Sequence, residues 1–419
     1  MGEGRLVNDK IKVIQVLVAG SVAVDLSCDI TSSQNDGIAV QPKLYTSNPA
    51  TIRQSLGGVG RNVASTLKYL QVEPRLCSVV GNDAAGSLVT EMLQDQGLAT
   101  SGIRRLECDT HTAQYIAIND KNRELFLAVS DMEIMQKGTR TEGKRDEMSP
   151  FTDWLGCKPQ WTVVDANWDP STIFGWLQVA HASGSKTAFE PVSVAKARRI
   201  FECVSVDDDT RGLSIFPNNL IDLATPNARE LRSMFDSAKD EGHFEREDWF
   251  RLINTMGLSG VGTRDKFEAL TSADLVKEGL PQQSVQLLAF IPCIVTTLGN
   301  KGVLLTQILP SNDERLTSES AAPYVIPCRL DEGSAIGGIY MRLFPPVAGV
   351  AQGDLVSVNG VGDTFLGALI AGMIRAKQKR IEDLIDFAQT CAILTLKSTE
   401  AVNPAISSVN MSALNPTSL

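Results

Sequence analysis

The chain is predicted to be an α/β protein, with a mainly parallel central sheet covered by helices on both faces and a small β lid at its edge. Three observations predict this. Short β-rich runs, most bounded by Gly, Pro, Asn or Asp, alternate with stretches of helical spacing. One segment reads strand, turn, strand instead. A glycine-rich turn opens a helix near each end of the chain.

The predicted strands of the main sheet are Val16–Ala19, Leu76–Val80, Thr162–Asp165, Lys186–Glu190, Ile221–Thr225, Ile294–Thr297 and Gly302–Gln307. The first sits in an apolar run from Val13 to Val24 that is interrupted by Gln15, Gly20 and Ser21 and stops at Asp25. That run is too short to span a bilayer and suits a buried strand. Val63, Leu67 and Leu70 have helical spacing, as do Ile381, Leu384, Ile385 and Ala388. Phe365 to Ile374 is apolar on nearly every side, which predicts a helix buried in the core. The lid is expected from about 38–56 and 112–129. In the second piece Thr112–Ile118 and Glu124–Val129 flank Asn119-Asp120-Lys121-Asn122-Arg123, turn chemistry that makes a hairpin; an extra antiparallel edge of the main sheet is the alternative. Residues 137–147 and 236–248 are charged and read as solvated surface. Residues 309–352, rich in Pro, Gly and Ser, read as a long insertion in one domain spanning 12–406.

Composition excludes several function classes. The 419 residues carry 39 Lys and Arg against 49 Asp and Glu, a net charge of −10, which argues against nucleic acid or an anionic membrane as partner. Aromatic residues make up only 6%, which weighs against a base-stacking single-strand binder. The eight cysteines form no Cys-x-x-Cys, and His111, His181 and His243 lie far apart. A zinc finger is excluded, and the cysteines are expected to be reduced and mostly buried in a cytoplasmic chain. Met1 to Lys10 resembles neither a signal nor a transit peptide, and Thr417-Ser418-Leu419 lacks the basic middle residue of a peroxisomal tripeptide.

The chemistry concentrates in four motifs. Gly57-Gly58-Val59-Gly60-Arg61-Asn62 opens an amphipathic helix, and Asn359-Gly360-Val361-Gly362-Asp363-Thr364 opens the buried one. In the latter, two glycines let the backbone turn so that amides at the helix start converge on one spot, an anion pocket aided by the helix dipole. Asp363 at that edge is either an N-cap or a general base that takes the proton from a hydroxyl attacking phosphorus. Asn227-Ala228-Arg229-Glu230 follows a predicted strand; the spacing of three suits either a hydrated Mg²⁺ with phosphate oxygens or a capping box. Thr296-Thr297-Leu298-Gly299-Asn300-Lys301-Gly302 joins two strands by a glycine-rich turn, able to approach nucleotide phosphates or to serve only as a hairpin. Two lookalikes fail. Gly138 to Arg145 matches a P-loop until Arg145 replaces the Ser or Thr that would hold Mg²⁺, and Val63 stands where a dinucleotide fingerprint needs its third glycine.

Taken in order, these motifs resemble the ribokinase-like (PfkB) carbohydrate kinases over roughly residues 13–406. That family's late pattern is Gly-Ala-Gly-Asp; Val361 replaces the Ala here, a tolerable change where the backbone amide does the work. Within the family the similarity is greatest to the pseudouridine kinases. It rests on Gly57 to Asn62, Ser130-Asp131-Met132, Asp165-Ala166-Asn167, Pro191-Val192-Ser193 and Asn403-Pro404.

The resemblance implies a three-layer sandwich that transfers the γ-phosphate of ATP to the 5′-hydroxyl of pseudouridine. It implies Asp363 as base, with the amides of Gly360, Val361 and Gly362 holding the charge that develops on the phosphate. Asp25, Gly58 and Asn62 would grip the sugar, and Ser130 and Asp131 would contact base or ribose. Asn227 and Glu230 would arrange Mg²⁺ and water, Glu230 as the metal's carboxylate. Thr297, Gly299 and Gly302 would lie along ATP, with Asn403 near the adenine. K⁺ is a further cation that relatives use, lid edges in the family sometimes pair into a homodimer, and a separate pseudouridine 5′-phosphate glycosidase would consume the product. The alternatives are a kinase of the same fold for ribose or another nucleoside, and a non-catalytic nucleoside sensor, against which the presence of Asp363 argues.

Overall fold

A computed structural model of the chain describes residues 14–30, 44–107, 110–120, 125–137, 158–202, 213–258, 262–328 and 335–410. Its strands begin with β1 (Val16–Ala19), β2 (Ala23–Ile30), β3 (Ala50–Gly57), β4 (Pro74–Gly81), β5 (Ile103–Leu106), β6 (Gln114–Asn119) and β7 (Leu125–Asp131). They continue with β8 (Trp161–Asp165), β9 (Lys186–Glu190), β10 (Leu223–Ala224), β11 (Cys293–Thr297), β12 (Val303–Pro310), β13 (Val325–Pro327) and β14 (Ile336–Phe344). Ten of them form one sheet in the order β13-β14-β12-β11-β10-β9-β8-β1-β4-β5. Pairing is parallel from β11 through β5 and antiparallel from β11 outward to β13.

The central strands are apolar at successive positions because helices cover both faces. Leu17 and Ala19 of β1 enter one core, with Val164, Phe189 and the helix Pro170–Ser183. Val16 and Val18 enter the other, with Val63 and Leu67 of the helix Val59–Tyr69 and Leu366 and Ile370 of the helix Val361–Arg375. The three-layer expectation holds. Strand order reverses beside β1: the chain steps from β1 to β4 and β5 on one side, then returns to β8, β9, β10 and β11 on the other. In open α/β sheets such a reversal leaves a crevice at the carboxyl ends of the strands, where ligands bind.

The lid is a separate four-stranded sheet in the order β3-β2-β6-β7. The hairpin expected at 112–129 is β6 and β7, and 38–56 contributes β3. The lid also takes β2, because Gly20 to Val22 bend the long apolar run away from the core after Ala19. The register alternates cleanly between faces. Asp25, Tyr115 and Ser130 form one row, whereas Leu26, Ile116 and Val129 form the next, on the opposite face.

The described part of 309–352 is ordered, since β14 pairs with β12 along its length and carries β13 at the edge. Gly337 and Gly338 leave room there for the Leu316 side chain, which lies within 3 Å of where a Cβ at either position would sit. One regional expectation is corrected: the solvated reading of 236–248 fails at His243, which is buried against Phe201 and Phe290 with its Nε2 2.9 Å from the Phe201 carbonyl. Residues 138–147, with the P-loop lookalike, lie outside the described residues. Cys293, Cys328 and Cys391 are buried free thiols, Cys77 is buried, and Cys28 is a partly buried thiol. Among the described residues no helix is long and apolar enough to cross a membrane.

Asp165 ties the crevice together. At the end of β8, its Oδ2 accepts from the Ser21 amide at 2.7 Å, the Ser21 hydroxyl at 3.1 Å and the Gly60 amide at 3.1 Å, and its Oδ1 from the Asn167 amide at 2.9 Å. Asp165→Ala strands three buried backbone donors. Urea unfolding is expected to show a loss of about 3 kcal/mol, because each unpaired buried group costs about 1–3 kcal/mol and the site relaxes in part.

Candidate active site

The early glycine element is built for close approach. Gly58 has φ 96°, and a Cβ there would lie 2.5 Å from the Ser21 carbonyl oxygen, so only glycine fits. The helix Val59–Tyr69 that follows has no capping side chain of its own. Its first three amides go instead to the Ser21 hydroxyl at 3.0 Å, Asp165 at 3.1 Å and the Ser21 carbonyl at 3.1 Å. The helix start is thereby pinned to the ends of β1 and β8, and Arg61 and Asn62 are carried into the crevice. Gly57 lies directly under the Asp25 carboxylate, where a Cβ would overlap it.

The late element meets it there. Gly360, with φ 73°, packs under the Ala401 carbonyl and precedes the helix Val361–Arg375, which no side chain caps. Space beside Gly362 is open. The first-turn amides of such a helix have no intrahelical partner and point out of its mouth. Asp363 is not the cap. In the third helical position and only 7% exposed, it accepts a 2.7 Å hydrogen bond at Oδ2 from Asn62 Nδ2, across 301 positions of sequence. A true aspartate cap looks different: Asp83 accepts the amide of Gly86 on its own helix at 2.7 Å.

Electrostatics single out the same group. Burial lifts the Asp363 carboxyl to about 7; the charges of Asp165 and Glu230 add to the rise, while the Asn62 hydrogen bond and Arg61 hold it down. Asp25 is raised to about 6 by burial, against the pull of Arg61. Glu190, at the end of β9, is pushed well above the usual carboxylate range by burial, then by Asp363 and Glu230. Its oxygens accept from Thr225 Oγ1 at 2.9 Å and the Val192 amide at 3.3 Å. Sequence reasoning missed Glu190 and gave Arg61 no role; an acidic residue closing a buried strand before Pro191 was the signal for the first.

On the nucleotide side the capping-box alternative is realised. Asn227 Oδ1 accepts the Arg229 and Glu230 amides at 2.9 and 3.0 Å, and Glu230 Oε2 accepts the Asn227 amide at 2.9 Å. The motif still borders a cavity of about 550 Å³ lined by Asn227, Arg229, Thr297, Gly299 and Lys301 among others. Gly302 is absent from that lining and serves the turn, with φ 92° beneath the Phe344 carbonyl. Asn403 is a cap: its Oδ1 accepts the Ala405 amide at 3.0 Å and its Nδ2 donates to the Leu394 carbonyl at 2.8 Å, which leaves it committed to its own turn. Ser130 shares the face of Asp25 across the lid, whereas Asp131, in register with Gln114 and Val24, alternates to the other face. Of the two lid residues expected at the substrate, Ser130 alone shares Asp25's face.

Known proteins fit this geometry. The sequence pattern of the pfkB family carbohydrate kinases matches residues 15–150 and 345–408, the segments that hold both glycine elements. The chain is 29% identical over 399 residues to a pseudouridine-metabolizing bifunctional protein of Schizosaccharomyces pombe, covering 94% of this chain and 47% of that protein, so it spans about half the relative's length. It is 27% identical over 251 residues to the pseudouridine kinase of Escherichia coli, covering 59% of this chain and 71% of that one. Among solved structures, the Arabidopsis thaliana ribokinase complexed with ribose and ATP superposes with a TM-score of 0.57 at 14% identity, covering 96% of this chain and 99% of the other. The Cryptococcus neoformans ribokinase in complex with ADP gives 0.55 at 16% identity, covering 94% and 98%. The fold is therefore that of the ribokinases. Both ends of the chain match the pfkB family of carbohydrate kinases.

Carboxyl-carbon NMR is expected to show Asp363 titrating near 7 in the native chain. In Asn62→Leu, which removes a hydrogen bond to the ionised form, the midpoint is expected to move higher.

Proposed function

We propose that the protein transfers the γ-phosphoryl group of ATP to the 5′-hydroxyl of pseudouridine. The observation that carries this reading is the Asn62–Asp363 hydrogen bond. It brings the family's two glycine elements to one point, at a sheet reversal and beside an uncapped helix mouth. A carboxylate with a raised pKa at such a point is suited to take a proton from an alcohol near neutral pH. Asp25, on the lid's inner row with Ser130, is placed to hold ribose hydroxyls. The amides at Gly360, Val361 and Gly362 offer donors to the charge that develops on the transferred group. Positioning and charge neutralisation supply most of the catalysis in such transfers. The substrate assignment draws on the two relatives whose names carry pseudouridine, together with the Arg61-Asn62 and Ser130-Asp131-Met132 sequences.

The 550 Å³ cavity beside Asn227, Thr297 and Gly299 suits a nucleotide's phosphates, with Arg229 and Lys301 at its edge. The donor set also fits Mg²⁺. Glu230 and Glu190 are hard oxygen donors, Glu230 adds to the cost of ionising Glu190, a cost a divalent cation relieves, and Mg²⁺ needs only one or two carboxylates alongside phosphate oxygens and water. Glu230 would hold it, and the metal would neutralise charge on the phosphates. Lid closure over Asp25 would exclude water from the transfer. The apolar outer row Ile52, Cys28, Ile118 and Leu127 is the surface on which two lids would pair in a homodimer. A separate glycosidase acting on the phosphorylated product completes the proposed setting.

Labelled ATP offered with pseudouridine, uridine, adenosine and ribose tests the reading. Pseudouridine is expected to give the highest kcat/KM; phosphorylation of adenosine or ribose but not pseudouridine would replace the substrate while keeping the chemistry. Asp363→Asn is expected to retain pseudouridine binding and to lose about 100-fold or more in kcat. The base works only when ionised, so kcat/KM of the native enzyme is expected to fall below pH of about 7 and to level off above it. Unchanged turnover in Asp363→Asn would remove the base assignment.

A further inference from the structure

Two arginines among the described residues are buried, Arg61 and Arg315, each 5% exposed. They are buried in opposite ways. Arg315 is fully engaged, with Asp313 at 2.9 and 3.0 Å, Gln307 at 3.0 Å, Glu382 at 3.0 Å and the Tyr340 ring 5.2 Å from its guanidinium carbon. The Arg61 side chain donates no hydrogen bond and makes no ion pair within the described residues, and its Nε is buried without a partner. Carboxylates of the opposite sign act on it through space, Asp25 first, then Asp363 and Glu400. The next residue repeats the pattern. Asn62 spends its Nδ2 on Asp363, and its Oδ1 is buried and unpartnered. A donor fork and an acceptor thus stand side by side in the crevice between the sugar-gripping carboxylate and the base, and neither is satisfied by the protein.

A desolvated guanidinium with no partner is a burden on the folded chain unless a ligand completes it. A hydroxyl cannot compensate a full positive charge, whereas a phosphoryl group brings negative charge and oxygens that match the planar fork. We propose that Arg61 is a catalytic residue that grips the phosphoryl group during transfer and holds the phosphate ester of the product afterwards. This rests on the kinase reading and names the group that its neutralising cation touches.

In the step, the alcohol proton passes to the Asp363 carboxylate and the alcohol oxygen's electron pair forms the new O–P bond. The bond from the γ-phosphorus to the bridging oxygen breaks, and its pair leaves on the β-phosphate of ADP. Arg61 stays protonated throughout and takes up charge on the phosphoryl oxygens. Asn62 Oδ1 remains available to the alcohol's sugar.

Arg61→Met and Arg61→Lys test this. Arg61→Met is expected to lower kcat by about 1,000-fold, the scale of an arginine supplied to a phosphoryl transition state. The dissociation constant for pseudouridine alone is expected to stay within about threefold, and added guanidinium ion is expected to restore part of the turnover. Arg61→Lys is expected to fall between the two, because a point charge lacks the fork. Pseudouridine 5′-phosphate is expected to raise the melting temperature of the native chain but not of Arg61→Met. Unchanged turnover, or a 5′-phosphate shift preserved in Arg61→Met, would overturn the assignment. So would weakened pseudouridine binding with kcat intact, which would make Arg61 a sugar contact. If the native chain phosphorylates no alcohol the kinase reading fails by itself, and the 5′-phosphate melts still decide whether Arg61 holds a phosphate ester.

Discussion

One hydrogen bond, from Asn62 to Asp363, joins the two halves of the crevice. Each partner stands in the first turn of a helix entered through a glycine with positive φ, and each helix packs into the same core layer. The bond fixes where the carboxylate points and so where an alcohol must stand to be deprotonated. Its short length and burial explain how a carboxylate without a capping role persists at a helix mouth.

The surroundings of that bond are organised by backbone closeness. Gly20, Gly58 and Gly60 let the β1 turn, the helix start and Asp165 approach within contact distance, and any Cβ there would collide with main chain or carboxylate. Into this rigid frame the fold places four further acidic side chains, Asp25, Asp165, Glu190 and Glu230. Asp165 is satisfied by backbone amides. All four are nonetheless raised above the usual carboxylate range, with burial as the largest cause. On the proposed reading, such a set would receive a cation and a polyol.

Much of this was legible in the sequence, for physical reasons. The buried strands announce themselves because parallel strands covered on both faces must be apolar at successive positions, and β1 and β9 match their expected spans residue for residue. The glycine elements are legible because a turn that tight admits no other residue. What was obscured is context. The Pro, Gly and Ser content of 309–352 hid the nine-residue strand β14, and the mostly apolar run from Val13 to Val24 hid the point where the chain leaves the core for the lid. Asn403 illustrates a second limit: a short polar side chain before Pro404 suits a cap as well as a ligand, and only the Ala405 and Leu394 bonds decide. Arg61 stands in the sequence only as part of the early glycine element, and its proposed contact could not be read there, because it depends on the partners the side chain lacks.

A kinase at this crevice must deliver phosphate to an alcohol. ³¹P NMR of ATP, Mg²⁺ and pseudouridine with the native protein measures that directly. The account predicts ADP together with a new phosphomonoester signal coupled to the two protons at the 5′ carbon. ATP left intact, or consumed to ADP and inorganic phosphate with no ester formed from pseudouridine or any other ribosyl alcohol, would contradict it.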